Sequence, residues 1–252
     1  MKHLKQQEVQ EEQYQFPYHY IVQFKEDFSI SLLFPWGLNY ASTMEFLMVK
    51  VAEDKKVKSI IDIGCGDGRF TRELFERFPN AKIKGIDYSS RSIQLAKGLN
   101  HDLNIDFSCT DITENKLSNL FSTAVLMEVY EHIHPKMADC FLEGIYALLE
   151  PGGVLHLTVP HENAPIVPHH FRHFNKKILI SELEKYFEIL EVIHFEKISI
   201  LRKWLIRLFV NRYFILNHVW LKNILYIYYK KNLFSVSKES QCQRIYIKCR
   251  KL

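Results

Sequence analysis

Ile60-Ile61-Asp62-Ile63-Gly64-Cys65-Gly66-Asp67-Gly68-Arg69-Phe70 is the stretch that decides the fold of this 252-residue chain. The run 60–63 is apolar apart from one acid and reads as a buried central strand. Three glycines follow, where backbone can approach a ligand that any Cβ would obstruct. A helix then begins, and its free N–H groups face whatever lies above the turn. The order is strand, glycine turn, helix, the opening unit of a doubly wound α/β sheet.

The spacing Gly64, Gly66, Gly68 is G-x-G-x-G. Dinucleotide-binding turns need G-x-G-x-x-G, so the third glycine arrives one residue early for that fingerprint. About 20 residues on, Gly85-Ile86-Asp87-Tyr88-Ser89 closes a second apolar strand with an acid placed for both hydroxyls of a ribose. A third strand, 105–109, ends in Thr110-Asp111-Ile112, with a carboxylate for an adenine amino group and an apolar side chain for the ring face. Leu126-Met127-Glu128 follows a fourth strand, and Glu150-Pro151-Gly152-Gly153 leads into a fifth, expected over Val154 to Val159.

In this order the motifs resemble the class I S-adenosylmethionine-dependent methyltransferases, across residues 59–160. The resemblance implies a doubly wound, mostly parallel sheet of seven strands and S-adenosylmethionine as cofactor. Asp62, Gly64, Cys65, Gly66 and Gly68 would lie under its amino-acid end, Asp87 and Tyr88 at the ribose, and Asp111 and Ile112 at the adenine, with Met127 and Glu128 lining the same site. In the resembling family the residues before the first strand form a lid. Here two aromatic clusters, Phe16-Pro17-Tyr18-His19-Tyr20 and Phe34-Pro35-Trp36-Gly37-Leu38-Asn39-Tyr40, occupy that place. Trp36 or Tyr40 is positioned to stack near a sulfonium, or simply to pack in the core. The S-x-x-E form of Ser42-Thr43-Met44-Glu45 predicts a helix start at Ser42.

Bulk properties bound the remaining options. Hydrophobic residues make up 47% of the chain, enough for one large core with additions. A net charge of +4 is too mild for a broad nucleic-acid face. Five cysteines, an odd number without a C-x-x-C pair, argue against a disulfide framework or zinc knuckle, and a reducing cytoplasm is the expected setting. Residues 1–15 lack the apolar run of a signal peptide, and no stretch has about 18 uninterrupted apolar residues.

The pattern divides the chain into a lid and helix at 1–58, the cofactor-binding core at 59–196, a helical insertion at 197–241 and a final strand at 242–252. The sixth and last strands normally form a hairpin in the resembling family, so the intervening segment is far longer than a hairpin loop needs. It mixes aromatic and basic residues over two helices. That composition suits an amphipathic cap on the core, with its basic residues solvated, or an element lying on a membrane surface or clasping an acidic, lipid-linked substrate.

Methyl transfer needs an electron-rich acceptor, and a hydroxyl acceptor needs a general base or a metal ion. Glu128-Val129-Tyr130-Glu131-His132-Ile133-His134-Pro135 follows the fourth strand, at the sheet edge where ligands bind. Its E-x-x-E-H element is similar to that of ubiquinone-pathway O-methyltransferases and small-RNA 2′-O-methyltransferases. The second resemblance implies a divalent metal on Glu128, Glu131 and His132, with His173 of His169-His170-Phe171-Arg172-His173 as fourth ligand. Without a metal, His132 or His173 is the candidate base, beside Glu131. Phe174-Asn175-Lys176-Lys177 departs from the RNA enzymes' late signature and counts against an RNA substrate. The expected function is O-methylation of a small or carrier-linked metabolite. The alternatives are a metal-dependent RNA 2′-O-methyltransferase and a non-catalytic cofactor-binding module, for which the intact glutamate and histidine set has no use.

Overall fold

A computed structural model describes residues 37–114, 119–209, 211, 213, 214, 216 and 218–252. Trp36 and the aromatic cluster at 16–20 lie outside the described residues. The elements in chain order are α1 (Gly37–Ala52), β1 (Ser59–Ile63), α2 (Arg69–Arg77), β2 (Lys82–Asp87), α3 (Ser90–Leu99), β3 (Asp106–Cys109) and β4 (Phe121–Met127). There follow α4 (Ala138–Leu148), β5 (Leu149–Pro160), α5 (Lys176–Leu183), β6 (Phe187–Lys197), α6 (Ile200–Phe209), α7 (Val219–Tyr229), β7 (Ser235–Val236) and β8 (Cys242–Lys251).

The strands form one sheet in the order β3-β2-β1-β4-β5-β8-β6-β7. Pairings from β3 across to β5 are parallel, and β8 runs antiparallel to both β5 and β6. Chain order reverses between β1 and β4, so their carboxyl ends open a crevice where ligands bind in such sheets. The sheet has eight strands rather than the expected seven. The addition is Ser235–Val236, which pairs with His194 and Phe195 of β6. Two residues are too few to leave an alternating pattern in sequence.

Alternation along the central strands assigns side chains to two apolar layers. Ile61, Ile63, Ala124, Leu126, Ile245 and Ile247 face the cluster with α4 and α5, whereas Ile60, Val125 and Tyr246 face the one with α1, α2, α6 and α7. Burying one such Ile or Leu contributes about 1.5–3 kcal/mol, so the sheet needs helices on both faces.

Two local expectations are corrected. Helix α1 already includes Gly37, and Ser42 lies inside it, its hydroxyl donating to the Asn39 carbonyl at 2.9 Å beside that of Thr43 at 2.8 Å. The hydroxyls satisfy carbonyls in mid-helix and cap no N–H. Strand β5 starts at Leu149, before the expected Val154, because Gly152 at φ +75° accommodates a register shift against β4. Ser89 caps α3, its hydroxyl accepting from the Ser92 N–H at 3.2 Å.

Candidate active site

The glycine turn is built by contacts that exclude side chains. Gly64, Gly66 and Gly68 have φ of +74°, +56° and +79°, a region that L residues other than glycine rarely enter. A Cβ on Gly64 would stand 2.6 Å from a Val129 methyl, and one on Gly68 2.8 Å from the Phe107 ring. Backbone N–H groups of Gly64 and Cys65 both donate to the Ile86 carbonyl, at 2.8 and 3.0 Å, which ties the turn to the end of β2.

Asp87 is the hub of that junction. Its carboxylate accepts from the Gly66 N–H at 3.0 Å and the Ser89 N–H at 2.8 Å, and it is 4% exposed. Tyr88 beside it is exposed. Asp62, in β1, is buried and accepts from the Thr71 hydroxyl at 2.6 Å. Burial pushes its carboxyl up to about 7; the charge of Asp87 adds to the rise, and the Thr71 bond opposes it. A cationic ammonium brought close to Asp62 would reverse that rise. Cys65 is buried, and burial with the neighbouring carboxylates keeps its thiol well above the ordinary value. Asp111 lies after β3, bonded to the Thr113 N–H and hydroxyl at 2.9 and 2.7 Å, with Ile112 buried and packed beside Gly144. Met127 and Tyr40 are partly buried and belong to the α1 cluster.

Glu128 continues the sheet, its N–H donating to the Thr158 carbonyl at 3.1 Å, and its φ of +57° redirects the chain. Helical turning begins only at Tyr130–His132, a 3-10 turn. The E-x-x-E-H element therefore does not converge as a whole. Glu128 points instead to Arg244 on β8, accepting at 2.8 Å, and Arg244 also binds Glu196, a fully buried residue at φ +59°. Glu196 in turn holds Arg202 of α6 at 3.3 Å. Sequence pattern offered no sign of this chain of ions, because its members come from β4, β6, α6 and β8.

The polar centre that does assemble is Glu131, His132 and His170, whose ligand atoms lie within 4.8 Å of one another. Glu131 has no exposure, and neither carboxylate oxygen has a hydrogen-bond partner among the described residues. Burial, then the charge of Glu128, holds its pKa well above the ordinary carboxylate value. Nδ1 of His132 meets the His169 carbonyl at 3.0 Å. A carbonyl only accepts, so this ring carries its proton on Nδ1 and presents a bare Nε2, which stands 4.0 Å from Glu131. Burial lowers the pKa of His132 to about 4 and, helped by its neighbours, that of His170 to about 2, so both rings are neutral near pH 7.

His173 is not part of the trio. Its Nδ1 meets the Ala164 carbonyl at 3.0 Å and its Nε2 meets Nδ1 of His170 at 2.8 Å, so both ring nitrogens are engaged. By the same logic His173 accepts from His170, leaving Nε2 of His170 bare. The four-ligand set that the RNA enzymes imply is thus replaced by one carboxylate and two imidazoles. His170 replaces His173 because the 169–173 loop is anchored by Phe171 N–H donating to the Glu131 carbonyl at 3.0 Å. Two buried orphan oxygens, and two imidazoles whose tautomers are set from behind, fit a borderline divalent cation.

Comparison with known proteins bears on the fold and on residues 60–153. Residues 60–153 match the family model described as a methyltransferase domain. A malonyl-[acyl-carrier protein] O-methyltransferase of Ilyobacter polytropus is 30% identical over 124 residues, 46% of this chain and 44% of the relative. A ubiquinone biosynthesis O-methyltransferase of Nitrobacter winogradskyi is 33% identical over 106 residues, 41% of this chain and 39% of the relative. The chain thus spans less than half the length of these curated relatives. In shape it is similar to a SAM dependent methyltransferase from Archaeoglobus fulgidus, with a TM-score of 0.58, 18% identity, and 84% of this chain and 94% of that one covered. Residues 60–153 therefore match a methyltransferase domain, and the sheet they build has the fold of the SAM dependent methyltransferase from Archaeoglobus fulgidus.

Proposed function

We propose that the protein transfers a methyl group from S-adenosylmethionine to a hydroxyl on a small or carrier-linked metabolite. One observation carries the reading: Val129 is wedged against Gly64 and is followed, in the chain order Val129-Tyr130-Glu131-His132, by two members of the Glu131–His132–His170 centre, so the glycine turn and that centre adjoin. The cofactor supplies a methyl carbon activated by positive sulfur. The chain's own part is to position and to deprotonate. The glycine turn leaves room for the cofactor's backbone-proximal end, and Asp87 retains acceptor capacity for ribose hydroxyls beyond its two backbone donors. Asp111 and Ile112 suit the adenine edge and face, with Tyr88 beside Asp87 at the ribose, Tyr40 toward the sulfonium and Met127 lining the same site.

On the acceptor side, Glu131, His132 and His170 would hold a divalent cation, which lowers the pKa of a bound hydroxyl. His173 supports this centre from behind by accepting from Nδ1 of His170, whereas Glu128 is spent on Arg244, and neither ligates. The named relatives act on a carrier-linked acid and in ubiquinone biosynthesis, which supports a carrier-linked or small acceptor. No described feature favours RNA.

Two measurements test the parts separately. Co²⁺ added to the purified apoprotein should give one equivalent of a visible d–d absorption that Glu131→Ala and His170→Ala abolish. Its absence sinks the metal reading and leaves Nε2 of His132 as the base. A substrate screen with methyl-labelled cofactor should place label on oxygen; label on nitrogen or carbon would contradict the O-methylation reading.

A further inference from the structure

Helices α6 and α7 each carry a buried stripe and an exposed apolar one, opposite it on α7 and about 100° round the helix from it on α6. Arg202, Leu205 and Phe209 of α6 and Lys222 and Tyr229 of α7 are buried. Leu205, Phe209 and Tyr229 all pack into the cluster that covers one face of the sheet. On α6, Leu201, Trp204 and Leu208 follow i, i+3, i+7 spacing with exposures of 48%, 58% and 52%. On α7, Trp220, Ile224 and Ile227 follow i, i+4, i+7 with 67%, 43% and 65%. Because both helices rest on one cluster, their outer stripes belong to one surface of the molecule. Apolar residues aligned in this way, two of them tryptophan, exceed the scattered exposure normal for a soluble surface.

Charge selects the occupant. Between residues 197 and 241 the exposed cations among the described residues are Lys203, Arg207, Lys231 and Lys238, against a single acid, Glu239. Lys203 and Arg207 flank the α6 stripe on exposed positions, and the Arg207 guanidinium lies over the Trp204 ring at 5.2 Å. A second copy docked by two-fold symmetry would oppose this basic surface with itself. A bilayer with anionic headgroups satisfies both properties: it takes the apolar stripe into its interface and pairs with the basic flank. No helix among the described residues is long and apolar enough to cross a membrane, so the element would lie on the surface.

We propose that the outer face of α6 and α7 docks the protein on an anionic membrane surface. Arg202 is its rigid link to the body of the protein, since it anchors α6 to Glu196 and, through it, to Arg244. This docking does not depend on the methyl-transfer reading, and vesicle binding requires no cofactor.

The test is flotation of the full chain with phosphatidylglycerol-containing vesicles and with pure phosphatidylcholine vesicles at low salt. The chain should float with the former only and be released as salt rises. Vesicles with brominated acyl chains should quench tryptophan fluorescence, and the Trp204→Ser/Trp220→Ser variant should lose both quenching and flotation. Lys203→Glu with Arg207→Glu, both exposed and outside the core, should weaken partition by at least about tenfold with an unchanged circular dichroism spectrum. Failure to float at low salt overturns the proposal, and self-association through this face is then the outcome to look for. Flotation or quenching that persists unchanged in the tryptophan variant overturns it too.

Discussion

Gly64 meets two constraints at once: a left-handed φ of +74° and a Val129 methyl 2.6 Å from where a Cβ would stand. Gly64→Ala should therefore cost about 1–3 kcal/mol, measured by urea unfolding, and Val129→Ala in the same chain should recover the steric part only. No loss in the single variant would contradict the geometry. The glycines and Asp87 were legible in sequence because their chemistry is local, set by a turn and by the residue ending a strand. His170 was not legible. Its place beside Glu131 and His132 depends on a loop anchored by Phe171 and on His173 spending both ring nitrogens, neither of which leaves a spacing signature.

Among elements, the ion chain Glu128–Arg244–Glu196–Arg202 joins β4, β8, β6 and α6. Removing one partner strands a charge that burial cannot tolerate, and Glu196 has no exposure. Arg244→Met should destabilise the protein by about 3–5 kcal/mol. Replacing Arg244 and Glu196 together, by Met and Gln, should cost less than Arg244→Met alone; an equal or greater cost in a double-mutant cycle would refute the coupling. The strands of the core could be read from short apolar runs that end in a glycine turn or an acid. The two-residue β7, the early start of β5 at a glycine bulge and the inclusion of Ser42 within α1 could not, because each is decided by a neighbour in space. The same holds for E-x-x-E-H: its spacing implies convergence only on a helix, and the chain turns helically two residues after Glu128.

For the whole molecule, stability should depend on pH through a core triad that spans the sheet and the end of α1. His156 meets the Tyr246 hydroxyl at 2.8 Å and Asp54 at 2.9 Å. Burial, opposed by Asp54, leaves its pKa below the ordinary 6.5, so the folded state refuses a proton that the unfolded chain accepts. Stability from His156 is thus complete above about 6.5 and is lost as pH falls through its lowered folded value. Asp54 adds a loss at lower pH: burial raises its pKa, but the bonds from His156 and Lys248 outweigh that and leave it lowered. Tm should fall from pH 7 to pH 5, and less steeply in His156→Gln, which starts lower; a wild-type Tm that is flat over this range would contradict the assignment. The proposed cofactor crevice opens at the reversal between β1 and β4, beside the glycine turn that Asp87 of β2 holds through the Gly66 N–H. Calorimetric titration with S-adenosylhomocysteine tests this most directly. The wild-type chain should bind one equivalent, and Asp87→Ala should bind at least about tenfold more weakly, as expected for lost charge-assisted hydrogen bonds; no binding by the wild type, or equal affinity in the variant, would contradict the account.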